Sequence, residues 1–414
     1  MADNFCFFFP YNEDSGVPVV FYRMANAIAQ SHPEIQVLVI DYPDGAMARH
    51  LLDLPNLKVY GFQDGQTIVP PEDAVLITQS LVPYHWPVEL KPQPKTRMFF
   101  WNLHPQNFVP SLLPLFNLRD VTINNYKLHQ FLSIFFPETL KKVRGYVGML
   151  IKHQALSFMD QTNLDSTKKY LFIPEINAPF LPVPATSVTK LKVKFPDKGS
   201  QHFNYCWVGR LCDFKVHILI YTAKKLADIA QQLNIQITYY IVGDGPLKAY
   251  VEEQTFENDN FKIVFCGAIA HEKLDDFLTE KIDAVTAMGT SALEGAKLGI
   301  PTILLDASYK PVNEGYKFRF LYQAINYDLA HFITKADYLQ NNHSLEDIVS
   351  SIKDNYEEES RKSLQYFIEK HSIERVVREF LDQAGKTTLE FGMIEKGFFE
   401  KPKLLKILNF FRSK

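Results

Sequence analysis

Short apolar runs alternate along the chain with longer stretches in which apolar positions recur every three or four residues. These are the periods of buried strands and of amphipathic helices. In the first half, Phe5–Phe9, Gln36–Asp41, Ala74–Gln79 and Arg97–Asn102 read as strands, and Val121–Asn124 and Tyr170–Pro174 continue the series. Helices are predicted over Pro18–Gln30, with proline early where its missing N–H is harmless, and over Tyr126–Phe135. From Pro179 to Gln201 the pattern stops among Pro179, Pro182, Pro184 and Pro196, as a linker does. A second series follows: strands Phe203–Gly209, Ile237–Gly243, Lys262–Gly267, Ile282–Ala287 and Thr302–Asp306. Helices Lys215–Gln232, Leu247–Gln254, Lys273–Glu280 and Ser291–Leu298 lie between them, and helical sequence dominates Ser344–Gln383. Such alternation predicts βαβ units around mainly parallel sheets. The expected organisation is α/β, with two Rossmann-like doubly wound domains at 1–183 and 203–385. Residues 184–202 link them, and a tail occupies 386–414. Domains of nearly equal size would face each other across a cleft.

Composition narrows this picture. A chain of 414 residues exceeds one ordinary core. With 46% hydrophobic and 22% charged residues it has the make-up of a globular protein. A net charge of −3 gives no general attraction for nucleic acid. Cys6, Cys206, Cys212 and Cys266 are scattered without metal-ligand spacing, which predicts buried thiols. The first residues lack a basic segment leading into a long apolar run. No stretch reaches the roughly 18 apolar residues of a membrane span. The expected location is therefore cytoplasmic.

Three strand-to-helix turns carry the chemistry, and in an open α/β sheet such turns form the ligand-binding edge. The first is Gly209-Arg210-Leu211 with Lys215, a planar fork and a compact charge suited to phosphate oxygens. Read more simply, it is a surface Arg and Lys near a turn. Val242-Gly243-Asp244-Gly245-Pro246 lacks a third glycine at dinucleotide spacing, and Pro246 removes an amide donor, so NAD binding is rejected. In the third, Gly289 to Pro301, Gly289 lets the backbone approach phosphates and Thr290 and Ser291 open a helix. Glu294 is either a ribose-binding carboxylate or the closing member of a Ser291–Glu294 capping box.

Together these residues resemble the retaining GT-B glycosyltransferases of family four, which build bacterial glycolipids, capsules and O-antigens. The likeness rests on Gly209–Leu211, Lys215, Val242–Pro246, Glu294 and Gly299–Pro301, and spans about Phe203 to Asp306. It implies that Arg210 and Lys215 hold a nucleotide diphosphate and Glu294 the ribose, with Gly209, Gly243, Gly289, Thr290 and Ser291 lining the donor site. In the first half, Phe172–Asn177 looks like the family's hydrophobic-Pro-Asn stretch. Gly16 stands where a glycine loop touches the donor sugar, and His104 resembles a histidine that approaches donor sugar or acceptor. A histidine in a Trp-Asn-Leu-His-Pro turn also serves structure alone. Two departures stand out. Thr286 occupies the place of the family's sugar-binding glutamate, and the stretch after Asp306 lacks the usual Gly-hydrophobic-Val pattern. Glu314, in the loop that follows, is the candidate acidic substitute.

The resemblance implies transfer of a hexose-type sugar from a UDP- or GDP-type donor to a glycan or glycolipid acceptor, with retention and without a cofactor. No DxD-type acidic pair stands at a strand end, so no metal is expected. The rival expectations are a catalytically silent GT-B subunit that binds a partner glycosyltransferase or glycan, and another GT-B enzyme such as a nucleotide-sugar epimerase. Residues 392–414 are rich in Lys and Arg, and Leu404, Ile407, Leu408 and Phe411 fall on one helical face. That pattern suits either an anionic membrane surface or packing against the first domain.

Overall fold

Alternation in β1 (Asn4–Phe8) sends Phe5 and Phe7 to one face of a sheet and Cys6 and Phe8 to the other, and all four are buried. Both faces of this strand are covered, as in parallel sheets flanked by helices. The structure, a computed structural model, describes residues 4–14, 16–108, 126–186, 188, 200–254, 256–333 and 343–401. They fall into two units, Met1–Pro184 with Ile373–Lys414, and Ala185–Ser372.

In the first unit, α1 (Gly16–Ser31), β2 (Gln36–Asp41), α2 (Ala46–His50), β3 (Leu57–Gly61), β4 (Val75–Gln79) and β5 (Arg97–Asn102) follow β1. Then come α3 (Tyr126–Phe135), α4 (Pro137–Lys152), β6 (Leu156–Phe158) and α5 (Gln161–Leu171). The sheet order is β3-β2-β1-β4-β5-β6 with every pair parallel. This is the strand order of a Rossmann sheet, with its switch point between β1 and β4. Leu140, Val143, Tyr146 and Val147 of α4 and Leu164 of α5 pack on Leu76, Met98 and Phe100.

The second unit repeats the plan. It contains β7 (His202–Val208), α6 (Val216–Gln232), β8 (Gln236–Val242), α7 (Lys248–Gln254), β9 (Phe261–Gly267), α8 (His271–Lys281) and β10 (Ala284–Ala287). After these come α9 (Thr290–Ala296), β11 (Thr302–Leu304), β12 (Arg319–Phe320) and α10 (Leu345–Lys370). Its order is β12-β11-β10-β7-β8-β9, with only the edge strand β12 antiparallel. Counted from β7, the five parallel strands keep the Rossmann order, and β7 and β10 flank the switch point. Tyr205, Trp207 and Tyr239 join Leu219, Leu226 and Ala230 of α6 and Ile348 and Ile352 of α10 in one apolar core.

The chain then returns to the first unit through α11 (Ile373–Gly385) and α12 (Lys396–Phe399). The expected second domain of 203–385 is therefore too long by α11. Its buried Val376, Val377, Phe380 and Ala384 recur at helical spacing, and Phe380 fits among aromatic rings of the first sheet. Phe380 lies 5.3 Å from Phe5, 5.6 Å from Phe7, 6.1 Å from Phe99 and 6.2 Å from Trp101 between ring centroids. Further on, Phe398 packs on Tyr146 and Phe399 on Trp86, so the described start of the tail, to residue 401, lies on the first unit. The rest of the tail, most of the expected linker and the expected strand Val121–Asn124 lie outside the described residues. Among the described residues no helix is long and apolar enough to cross a membrane.

One predicted strand is a helix end instead. Tyr170 and Leu171 finish α5, which starts where the Asp160 carboxylate accepts the Asn163 amide at 2.8 Å and stops at Phe172 with φ 53°. The apolar run Tyr-Leu-Phe-Ile suggests a strand, but Leu164, Thr167, Tyr170 and Leu171 are buried at helical spacing, and the cap decides the outcome.

Because Phe380 is fully buried among four rings, Phe380→Ala should cost about 3–5 kcal/mol. Urea unfolding, in which the midpoint falls at constant slope, measures this. An unchanged midpoint would mean that α11 contributes nothing to the first unit.

Candidate nucleotide site of the second unit

The turn after β7 and the turn after β8 lie backbone against backbone. The Gly209 amide donates to Val242 O at 3.0 Å, the Leu211 amide to Asp244 O at 3.0 Å, and the Leu247 amide to Leu211 O at 3.2 Å. A Cβ on Gly243, whose φ is 136°, would sit 2.1 Å from Gly209 O; one on Gly245 would sit 2.4 Å from Leu211 O. Both glycines are there because no side chain fits between the two turns. The Gly-Asp-Gly-Pro motif is thus a brace for the Gly-Arg-Leu turn. Trp207 completes it, its indole N–H donating to Gly209 O at 3.0 Å.

This brace presents two cations. Arg210 is exposed, and Lys215, partly buried, immediately precedes α6. Neither makes an ion pair with an acidic side chain among the described residues; Lys215 only rests over the Phe214 ring at 5.7 Å. Burial holds the Lys215 ammonium below the usual lysine range, and the like charge of Arg210 lowers it further. A partly desolvated ammonium beside a guanidinium, without a counter-carboxylate, is an incomplete electrostatic arrangement that an anion would complete.

Across the switch point, Gly289 (φ 66°, ψ −152°) precedes α9 and has open space on its Cβ side. Its amide donates to Leu329 O at 2.7 Å. Thr290 is exposed and Ser291 half-buried in the first turn. No side chain caps α9, so the Ser291–Glu294 capping box does not form. With seven residues, α9 adds little dipole of its own. Gly295 lets it lie tight on the sheet, since a Cβ there would be 2.7 Å from Thr302 Oγ1. Glu294 is 8% exposed, with Oε2 2.6 Å from the Lys297 ammonium. Lys297 also reaches Asp275 Oδ1 at 2.8 Å. The i,i+3 spacing of Glu294 and Lys297 in an apolar helix was the sequence signal for this pair.

Thr286, the position of the expected sugar-binding glutamate, is fully buried inside β10. Its hydroxyl pairs with the Tyr239 hydroxyl at 2.7 Å and donates to Cys206 O at 3.3 Å. It serves the sheet interior. Glu314 is engaged elsewhere, by Lys225.

A buried ion network that sequence reasoning missed holds the remaining loops. Arg319 grips Asp306 through two bonds of 2.7 and 2.8 Å, Tyr316 donates to the same carboxylate at 2.8 Å, and Asp328 and His331 close the cluster. Burial alone would raise the Asp306 pKa, but the Arg319 charge and these bonds hold it well below the carboxylate range. The His331 amide also bonds Asp306, and neighbouring Leu329 accepts the Gly289 amide, so the network fixes the turn that opens α9. Its members are too far apart in sequence for any spacing rule to reveal them.

In the first unit, His104 sits past β5 in a turn bound by Asn107, whose side-chain oxygen accepts the Leu103 and His104 amides. The residue is exposed, yet enough atoms crowd its ring that burial lowers its pKa. Nδ1 accepts the Gln106 amide at 3.1 Å, which places the proton of the neutral ring on Nε2. Gly16 starts α1 in open space, so nothing in the packing there requires glycine. Asp41, at the β2 end where a dinucleotide-binding sheet has its ribose acid, is buried and accepts four backbone amides, from Tyr11, Tyr42, Met47 and Ala48. Its lone pairs are committed to the fold. Among the described residues no group of three or more His, Cys, Asp or Glu is placed to hold a metal ion.

Gly243→Ala should lower the melting temperature by several degrees, because the new methyl meets Gly209 O and the brace must open. Gly16→Ala should leave it within about one degree. Differential scanning calorimetry of the two variants beside the unaltered chain makes the comparison.

No protein-family model and no curated protein matches the chain. Among solved structures, a glycosyltransferase from Rickettsia africae ESF-5 is similar at 10% identity over 92% of this chain and 98% of its own, with a TM-score of 0.52. The N-terminal domain of a trehalose-6-phosphate phosphatase from Candida albicans is similar at 10% identity over 93% and 97%, with a TM-score of 0.50. At such identities the likeness concerns the fold, and the chain has the two Rossmann-like units of the GT-B class.

Proposed function

We propose that the chain is a retaining, metal-independent glycosyltransferase that moves a hexose-type sugar from a nucleoside diphosphate to a glycan acceptor. The observation that carries this reading is the Arg210–Lys215 pair, two cations that have no counter-carboxylate among the described residues and stand at the carboxyl edge of a Rossmann-like sheet. Support comes also from the fold shared with a protein described as a glycosyltransferase. In this reading the diphosphate lies against Arg210 and Lys215 near Gly209 and Gly289, and Glu294 accepts the ribose hydroxyls. As the glycosidic C–O bond breaks, negative charge builds on the leaving diphosphate, and the two cations stabilise it more than the ground state. The acceptor hydroxyl forms the new C–O bond on the same face and loses its proton to the departing phosphate oxygen. His104 donates Nε2–H to a sugar hydroxyl, which fits its neutral tautomer. A lipid-linked acceptor and contact of residues 392–414 with anionic membrane belong to the same proposal and rest on the sequence alone.

A second reading has an observation in its favour. Thr286 turns into the sheet, so the carboxylate expected to grip the donor sugar is missing. A silent GT-B subunit that binds a partner glycosyltransferase or glycan would tolerate that loss.

Calorimetric titration with UDP, GDP and their common sugars separates the possibilities. The enzyme reading expects one nucleotide to bind selectively and Arg210→Ala to weaken it by roughly one to two orders of magnitude. Absence of nucleotide binding to folded protein overturns it. Nucleotide binding without transfer or hydrolysis of any sugar favours the silent subunit. Because the diphosphate binds the protonated ammonium, affinity should also fall as pH rises through the lowered Lys215 pKa, on the neutral side of an ordinary lysine. Lys215→Arg should flatten that dependence over the same range.

A further inference from the structure

We infer that Lys297 is the positioning residue that gives the nucleotide site its preference for an intact ribose, by clamping one oxygen of Glu294 and leaving the other to the ligand. The inference rests on the nucleotide-binding reading above and deepens it. Lys297 is charged, yet its side chain is 3% exposed, the environment in which an ammonium is kept only when paired. Its two partners are Glu294 Oε2 on its own helix, one turn earlier, and Asp275 Oδ1 on α8. The clamp is therefore anchored outside α9, and its position does not depend on that short helix alone. Lys297 holds Glu294 Oε2 as a close ion pair rather than through an aligned hydrogen bond, and no hydrogen bond from the described residues reaches Oε1, which leaves that oxygen to a ligand.

Vicinal hydroxyls are the chemistry that fits. A carboxylate with a fixed aim and a free oxygen accepts hydrogen bonds from a diol, and it repels phosphate. The anionic part of the ligand then belongs to Arg210 and Lys215, and the ribose to Glu294. Without Lys297, two carboxylates on adjoining helices lose their common cation, and Glu294 no longer has a reason to keep its orientation. The loss should concern the diol alone.

The experiment compares three probes by calorimetry: whichever of UDP or GDP binds the unaltered chain more tightly, the 2′,3′-dideoxy form of that nucleotide, and inorganic pyrophosphate. The unaltered chain should prefer the ribose form over the dideoxy form by at least about tenfold, as one or two charge-assisted bonds provide. Lys297→Met should bring that ratio close to one while pyrophosphate affinity stays within about twofold, and Lys297→Arg should restore most of the ratio. A full ratio in Lys297→Met, with the ratio abolished in Glu294→Gln, overturns the clamp and leaves the nucleotide site standing. A full ratio in Glu294→Gln overturns the ribose assignment itself. Should Lys297→Met fail to fold, Lys297→Gln decides, since it keeps a polar side chain there and removes its charge. The ratio should again fall close to one with pyrophosphate binding intact, and a full ratio overturns the clamp.

Discussion

The arrangement of the second unit depends on one contact without side chains, the approach of the 209–211 turn to the 243–245 turn. Two peptide groups packed this closely leave no room for a Cβ, and their hydrogen bonds run directly between backbones. Such a contact is rigid because no rotamer can relax it. Arg210 and Lys215 start from this fixed base, so less of their freedom has to be lost when an anion arrives. The glycines of both motifs then have a common explanation, which is geometry shared between two turns rather than two separate approaches to a ligand.

Charge in this unit is distributed unevenly. Arg319 and Lys297 are buried and each has two carboxylate partners. Arg210 and Lys215 stand near each other with none among the described residues. Desolvating a cation costs several kcal/mol unless the charge is matched, and the protein matches it wherever the loops must simply hold their shape. At the carboxyl edge it leaves the match open. That contrast within one unit argues for a ligand anion more strongly than the presence of basic residues does.

Much of this was legible in the sequence, for identifiable reasons. Strands buried on both faces appear as unbroken apolar runs, so β1, β2, β5 and the five parallel strands of the second sheet were placed within a residue or two, whereas the two-residue edge strand β12 was missed. The turns after them were marked by glycine. Residues 170–174 were misjudged because apolar content outweighed an N-cap ten residues earlier. Val59 and Tyr60 of β3 stay exposed, so that edge strand carried no burial signal, and β6 is only three residues long. In the candidate site, Arg210, Lys215 and Glu294 were singled out by motif spacing. Thr286 illustrates the limit of such matching: aligned to a ligand-binding position, it faces the interior of the sheet.

The return of α11 to the first sheet has a consequence for how the polypeptide comes into being. The rings that Phe380 covers belong to strands synthesised before 185–372, and the residue itself emerges after the whole of that segment. At about 5–20 residues per second, the first sheet waits on the order of ten seconds or more for its last helix. During that interval its aromatic face is open, while the second unit, continuous in sequence, is free to fold. The nascent surface left open longest is therefore the aromatic face of the first sheet, which the last helix to emerge must cover.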